Sequence, residues 1–478
     1  MQPANPVARR VCSQATSNHK NQSDRKHPRV GPPYIYIAVC LQSVVALAAS
    51  NPPSINSTTF NQDVLPILQK HCQGCHRPGE AAPMSLLNYA EARPWAKAIK
   101  SAVATRTMPP WFADPNYGHF LNDPRLSSAE IATFVSWADQ GAPQGRRHNT
   151  PAPLVFQNGW NIKPDIVIQI PKPVALPATG AINYKWILVK TNFPENMWIE
   201  SAEMRPENAR VLHHGKVWVR PPGSHWMEKA APGEVYEDET PSATIGRNRL
   251  SEGNDILGKF NPGLGAQRFD VEGAAKFVPK GSDLVFELHY TPTGQPTTDS
   301  PKLGLVLAKH PPAKRYFFSM GPATYNLLIP PRDPNFEVVS EATVGVDVKL
   351  AQVQPHMHLR GKDYELRLIY PTGKSETVFK GKFDFTWQLG YEFATPIALP
   401  RGTRIVGIAH FDNSANNKFN PDPSKQVRWG AQNSDEMSNG FLGLIIDVGT
   451  NPETVLRPSG PSRVPRGLSL PRLGFLWR

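Results

Sequence analysis

Two histidines separated by one residue stand in Gln354-Pro355-His356-Met357-His358, two stand side by side at His213-His214, and another ends an apolar run at His289. A thioether, Met437, sits in Asn433-Ser434-Asp435-Glu436-Met437-Ser438-Asn439. These side chains could hold a metal ion, since imidazole nitrogen and thioether sulfur are both transition-metal ligands. On a strand, residues two apart project to one side, so His356 and His358 can share an ion. Adjacent residues diverge, so His213 and His214 need a bulge or a bend to do the same. His289 shares a strand face with Val285 and Glu287, opposite Leu284, Phe286 and Leu288. A lone histidine in a sheet is ordinarily a hydrogen-bonded residue. For all these elements together in one chain, that account needs several coincidences.

A different ligand set lies nearer the front. His71-Cys72-Gln73-Gly74-Cys75-His76 carries the pattern C-x-x-C-H, which reads as a redox dithiol, as half a zinc site or as a c-type haem attachment. Zinc needs two further ligands nearby and a thioredoxin-like dithiol needs a βαβ context; neither is visible. Haem uses every residue of the motif, since two thiols add to its vinyl groups and the adjoining His76 becomes the ligand beneath the iron. The ligand on the other side is expected from the following loop, where Met84, Met108 and His119 are candidates. Met108 is favoured because Arg106-Thr107-Met108-Pro109-Pro110-Trp111 holds the thioether in a stiff, Pro-bounded segment.

Periodicity gives the elements that must position these residues. Val64, Leu65, Ile67 and Leu68 make one apolar helical face running into Cys72. Ser127 with Glu130 is a capping box, followed by Ile131, Phe134, Val135 and Ala138 at helical spacing and Gly141 as a stop. Helix, attachment motif, loop and helix over residues 56–145 resemble a small cytochrome c, which implies an all-α domain holding haem c through Cys72, Cys75, His76 and Met108. After the polar, Pro-containing stretch 143–153 the pattern changes. Segments 182–191, 209–221, 283–292, 364–373 and 403–412 alternate apolar and polar residues and end in turn chemistry, as antiparallel sandwiches do. A break near Lys309-His310-Pro311-Pro312 divides this region in two. The expected fold is multidomain: a small all-α cytochrome c domain (56–145), a linker (146–159), two all-β antiparallel sandwich domains (160–312 and 313–455), and a basic tail (456–478) whose Pro and Gly content marks it as disordered.

Fifty prolines and 35 glycines among 478 residues fit a β-rich chain with many turns. The net charge of +12 first points to an anionic partner, but ten of those charges lie in residues 1–33 and 456–478. The body is near neutral, which removes the case for nucleic acid. Tyr34 to Ala49 is uncharged and closes on Ala46-Leu47-Ala48, the small-x-small form of a cleavage site. An export signal within residues 1–50 is expected, and with it a periplasmic or extracellular location. The run falls short of the roughly 20 apolar residues of a spanning helix, so a retained anchor is the lesser alternative. Cys12 and Cys40 leave with that segment, so Cys72 and Cys75 are the cysteines of the mature chain and no sheet is stapled by a disulfide.

Across residues 160–455, Val211-Leu212-His213-His214-Gly215-Lys216, Glu287-Leu288-His289-Tyr290, His356-Met357-His358 and Asn433 to Asn439 occur in an order that resembles the copper type II, ascorbate-dependent monooxygenases, the family of peptidylglycine α-hydroxylating monooxygenase and dopamine β-monooxygenase. The resemblance implies two copper ions per chain. His213, His214 and His289 would hold the electron-storing copper; His356, His358 and Met437 would hold the copper where O2 reacts. It also implies two domains facing each other across a solvent-filled cleft, hydroxylation of a C–H bond in an organic substrate, and electrons from ascorbate or a redox protein. Gln354 stands where the peptide-amidating members have a carboxylate-gripping arginine, and Phe441 where they have a tyrosine, while Asn439 matches. Without the guanidinium fork, a peptide carboxylate is not the expected substrate. The fused haem motif suggests a tethered donor feeding the His213 copper. The competing reading is a haem/copper electron-transfer or copper-binding protein without oxygenation. His410 is read as a satisfied sheet residue.

Overall fold

The computed structural model describes residues 57–80, 82–156, 159–237, 255–430 and 432–458. The expected export signal, Cys12, Cys40 and the tail from residue 459 onward lie outside the described residues. Strands are the main regular structure of the described chain. Its helices are few, and the four α-helices fall between Leu65 and Asp139: α1 Leu65–His71, α2 Tyr89–Ala92, α3 Ala96–Ala104 and α4 Ser128–Asp139. Helix α4 starts on the expected box, with Ser127 Oγ accepting from the Glu130 N–H and the Glu130 carboxylate accepting from the Ser127 N–H. Two N–H groups that a first helical turn leaves unpaired are thereby satisfied. Phe134 and Trp137, both fully buried, pack with Phe60, Val64, Leu68, Ile99 and Val103 into one apolar cluster. No described helix is long and apolar enough to cross a membrane.

The stretch read from sequence as a linker is packed down rather than free. Phe60 and Asn61 donate their N–H groups to the carbonyls of Pro143 and Gln144, Gln69 Nε2 donates to Ala152 O, and the Arg77 guanidinium lies 3.8 Å over the Phe156 ring. Backbone polar groups that a loop would leave to water find partners on the helical part.

A ten-stranded sheet carries, in spatial order, Ile166–Gln169, Lys302–Leu307, Met197–Arg205, Ala274–Val278, Lys314–Ser319, Ser438–Asp447, Val348–His356 and Tyr391–Leu399, with two short strands off this path. One five-stranded sheet, which includes Lys185–Lys190, Asp283–Tyr290 and Leu212–Arg220, faces its first half. Met204 and Leu303 reach across there: a Cβ on Gly215 would meet Met204 Cε at 2.6 Å, and one on Gly258 would clash with Leu303 Cδ1. A second five-stranded sheet, which includes Ser375–Lys382, Gly361–Ile369, Arg404–Phe411 and Phe336–Val344, faces the other half, with the Tyr364 hydroxyl against Gly440. The two sandwiches thus share one long sheet, joined where Lys314 and Arg315 pair in parallel with Ala274 and Ala275. The break near residues 309–318 is a seam in a continuous hydrogen-bonded layer. Leu456–Pro458, at the start of the tail read as disordered, is instead an edge strand paired with Ala342–Val344.

Candidate functional site

His214 and His289 face each other on neighbouring antiparallel strands, and the next pairing skips to Tyr290 with Leu212. His213 is the extra residue of that irregularity, which is the bulge adjacent ligands require. One ring nitrogen from each of His213, His214 and His289 lies within 4.8 Å of the others. Nδ1 of His213 and Nδ1 of His214 are 3.1 Å apart, a spacing open to two nitrogens each about 2 Å from one ion. His289 Nδ1 is buried with no hydrogen-bond partner, a rare condition that a metal would relieve. Tyr184 supports the trio: its hydroxyl is 3.0 Å from His214 Nε2, and its ring stacks on His289 at 4.6 Å. Burial pulls His213 down to about 4 and, with neighbouring positive groups, His289 down to about 3; it holds His214 well below the usual imidazole range. All three are therefore neutral, ligand-ready bases at pH 7.

The second set is built differently from the sequence expectation. Its strand ends at His356, and His358 lies beyond it, so strand alternation does not orient the pair. Glu436 organises the segment instead. Its buried carboxylate accepts the backbone N–H groups of His358 at 2.8 Å, Arg360 at 2.6 Å and Met437 at 3.3 Å, tying the two histidines to the stretch that bears the thioether. The two imidazoles stand edge to face with centroids 5.3 Å apart. Nδ1 of His356 is 2.7 Å from Gln388 Oε1 and Nδ1 of His358 is 3.3 Å from the Asp435 carbonyl. Each ring therefore keeps Nε2 for an ion, and Nε2 of His358 is buried without a partner. Asn439, the cross-strand neighbour of His356, donates to Met437 Sδ at 3.8 Å. Burial lowers His358 to about 4 and His356 well below its ordinary value. It raises the Glu436 carboxyl to about 8, against the pull of the backbone donors and of the Arg360 guanidinium.

The solvent-filled cleft implied by the resemblance is not what separates the two sets. Asn433, from the second sandwich, donates to His289 Nε2 at 3.1 Å, and Phe385, also from the second sandwich, stacks on His213 at 4.9 Å. Lys216 lies 5.6 Å from the Phe441 ring, which is 5.4 Å from the His356 ring. Phe385 and Asn433 thus bring the second sandwich directly against the first histidine set. Gln354 is fully engaged: it accepts from Lys259 Nζ at 2.6 Å and donates to the Gln388 carbonyl at 3.0 Å.

At the front motif, Cys72 and Cys75 are both free. Burial, then the neighbouring Cys75, pushes the Cys72 thiol up to about 12, the opposite of an activated dithiol. His76 Nδ1 is 3.3 Å from the Met84 carbonyl, which leaves Nε2 to face an iron and puts the Met84 backbone on the His76 side. Met108 lines a cavity of about 420 Å³ together with Val103, Trp111, Leu126 and Ile131. His119 is exposed, and its carbonyl accepts from Ala394 N–H on the second sandwich. The two free thiols and the His76 ring nitrogen are the donor set that a haem c takes, while Cys72, Cys75 and His76 are not among the residues lining the Met108 cavity, which also include Arg106 and Arg125. His410 is satisfied by Asp363 at 2.7 Å, as a sheet residue should be.

Gln388, Glu436, Asn433 and Tyr184 were not distinguished by the sequence. Glu436 and Asn433 carried a signal, their places in the stretch Asn433 to Asn439 around Met437. No protein-family model matches the chain, and no curated protein matches it. Among solved structures, the infectious bursal disease virus VP2 subviral particle is similar at 12% identity and a TM-score of 0.18, covering 62% of this chain and 75% of that one. The Gt strain of the same virus gives 11% and 0.18, covering 63% and 76%. Likeness at that level carries no argument about fold or function.

Proposed function

We propose that the chain is an exported copper-dependent monooxygenase of the copper type II, ascorbate-dependent kind, in which a haem c covalently held by the helical part donates electrons. One atom of O2 enters a C–H bond of an organic substrate, and two electrons and two protons take the other to water. The observation that carries the reading is the pair of ligand sets at one seam, three imidazoles in one and two in the other with Glu436 tying His358 to the Met437 segment, and with His289 Nδ1 and His358 Nε2 buried and unpartnered.

Copper held by these donors supplies one-electron storage at the first set and O2 reduction at the second. Haem on Cys72, Cys75 and His76 supplies a covalently retained one-electron donor. The rest falls to side chains. Tyr184 fixes His214 and His289, Glu436 and Gln388 fix His358 and His356, and Phe385 and Phe441 keep water from the rings. A chain of ion pairs ties the attachment motif to the first sandwich: Arg77 to Glu80 at 2.8 Å, Glu80 to Arg205 at 2.6 Å, and Arg205 to Glu203 at 3.0 Å.

The test is copper analysis of the purified chain with O2 consumption measured against a panel of small organic substrates, with and without reductant. Two coppers per chain and reductant-dependent uptake of O2 are expected. Met437→Ala should leave the haem spectrum intact and abolish turnover; unchanged turnover removes Met437 from the mechanism. A second reading, electron transfer or copper binding without oxygenation, is favoured by Phe385 and Asn433 bringing the second sandwich directly against the first set. Copper uptake with no O2 use under any condition would establish it, and no uptake at all would leave an interaction scaffold with relic ligands.

A further inference from the structure

The loop 383–390 touches both histidine sets, as does the stretch Asn433 to Met437. Gln388 Oε1 accepts from His356 Nδ1 at 2.7 Å, and Phe385 stacks on His213 at 4.9 Å. The Gln388 carbonyl is itself held by Gln354 Nε2 at 3.0 Å and by Asn261 Nδ2 at 2.8 Å, the latter from the first sandwich. A stretch with this much to position has no regular structure of its own. What anchors its two ends comes from far away in sequence.

Both stems are gripped by residues 111–122, between α3 and α4 of the helical part. On the incoming stem, Asp114 N–H donates to the Lys380 carbonyl at 2.8 Å and Lys382 N–H donates to the Phe112 carbonyl at 3.2 Å. On the outgoing stem, Asn122 Nδ2 donates to the Gly390 carbonyl at 2.9 Å, and Asn122 Oδ1 accepts from Glu392 N–H at 3.0 Å. Leu121 N–H donates to the Glu392 carbonyl and Ala394 N–H to the His119 carbonyl, both at 2.8 Å. Between the stems, Trp111 packs on Tyr391 at 4.7 Å, and Phe120 packs on Tyr391 at 5.6 Å. A Cβ on Gly381 would meet the Phe112 carbonyl at 2.9 Å, so the backbones approach as closely as only glycine allows.

We infer that Gln388 is a positioning residue for His356, and that residues 111–122 are a structural part of the second metal centre because they hold the strap that carries Gln388. An accepting oxygen on Nδ1 fixes the tautomer and orientation that present Nε2 to an ion, and losing such a partner typically weakens metal affinity by about 10–100-fold. The helical part therefore does more than carry a redox group. Its Met108 loop continues directly into the segment that sets the geometry of the other site.

The inference rests on His356 being a copper ligand, and the experiment separates the two. In the full-length chain, Gln388→Leu and Gln388→Glu are titrated with Cu(I) and examined as Cu(II) by electron paramagnetic resonance. Gln388→Leu should weaken one of the two sites about tenfold or more and change its signal, with the His213 site unaltered. Gln388→Glu, which keeps an accepting oxygen, should restore both. Asn122→Ala should follow Gln388→Leu, and Asn122→Asp, which keeps only the acceptor for Glu392, should fall between. Amide hydrogen exchange on the metal-free proteins forms the second arm: Asn122→Ala should speed exchange in residues 383–390 while strands Gly361–Ile369 and Arg404–Phe411 stay protected. Two full-strength coppers in both Gln388→Leu and Asn122→Ala would overturn the inference. So would unchanged exchange in 383–390. If the unaltered chain takes up no second copper, the metal reading fails at that site, and the exchange result alone decides whether the helical part holds the strap.

Discussion

Five imidazoles in a dry seam impose a pH dependence of known sign. In the folded, metal-free chain His213 and His358 titrate at about 4 and His289 at about 3, with His214 and His356 also displaced downward, all chiefly by burial. Unfolded, each takes a proton near pH 6.5. As pH falls from 6.5 to 5 the unfolded chain binds protons that the folded one refuses, so stability drops, by up to about 1.4 kcal/mol per pH unit for each group. Glu436 acts the other way, since its folded value near 8 means it already holds a proton that the unfolded carboxyl lacks, and burial raises Asp299 and Glu392 in the same sense, but the lowered imidazoles outnumber these carboxyls. The denaturation midpoint of the metal-free protein should therefore decline over that window, and a flat profile would mean the imidazoles sit in water. Bound copper should leave that slope in place, because ligated nitrogens stay unprotonated in the folded chain while the unfolded chain still takes up its protons.

At the scale of single elements, the segments whose periodicity is local were legible and those whose partners are remote were not. Helix α4 was readable from Ser127 and Glu130 because a capping box is complete within four residues; Ser127→Ala should cost about 1 kcal/mol, measured as a lowered midpoint in chemical denaturation. The strands bearing His213 and His289 were readable too, and so was the need for a bulge at His213. The support of His358 was not. It depends on a Glu436 carboxylate reaching backbone N–H groups 76 and 78 positions away, and nothing in one sequence marks that. Residues 111–122 were read as haem-loop residues, since Trp111 and Phe120 look alike whether they face a porphyrin or the Tyr391 of another sheet.

Across the whole molecule, the shared ten-stranded sheet makes the two sandwiches one cooperative structure. A buried ion pair sits at their seam: Lys276 Nζ lies 2.5 Å from Asp255 Oδ1, which also accepts the Phe318 N–H from the joining strand. Asp255→Ala strands an ammonium in a dry interior and should cost about 3–5 kcal/mol, whereas Asp255→Leu with Lys276→Met should recover most of it. Denaturant melts followed by far-ultraviolet circular dichroism test both. One transition, rather than separate steps for 160–312 and 313–455, is expected for the sandwich region.

The bonds from Asn122 to Gly390 and Glu392 span 268 and 270 positions of chain. During synthesis, the segment that ends in Asn122 emerges early and must wait, its strand-pairing edge bare, until the stems it will clasp have left the ribosome. The trio around His213 closes sooner, once the strand of His289 arrives. Maturation is therefore ordered, with the His213 trio assembled well ahead of the clasped strap beside His356, and a prematurely terminated polypeptide would carry the one without the other.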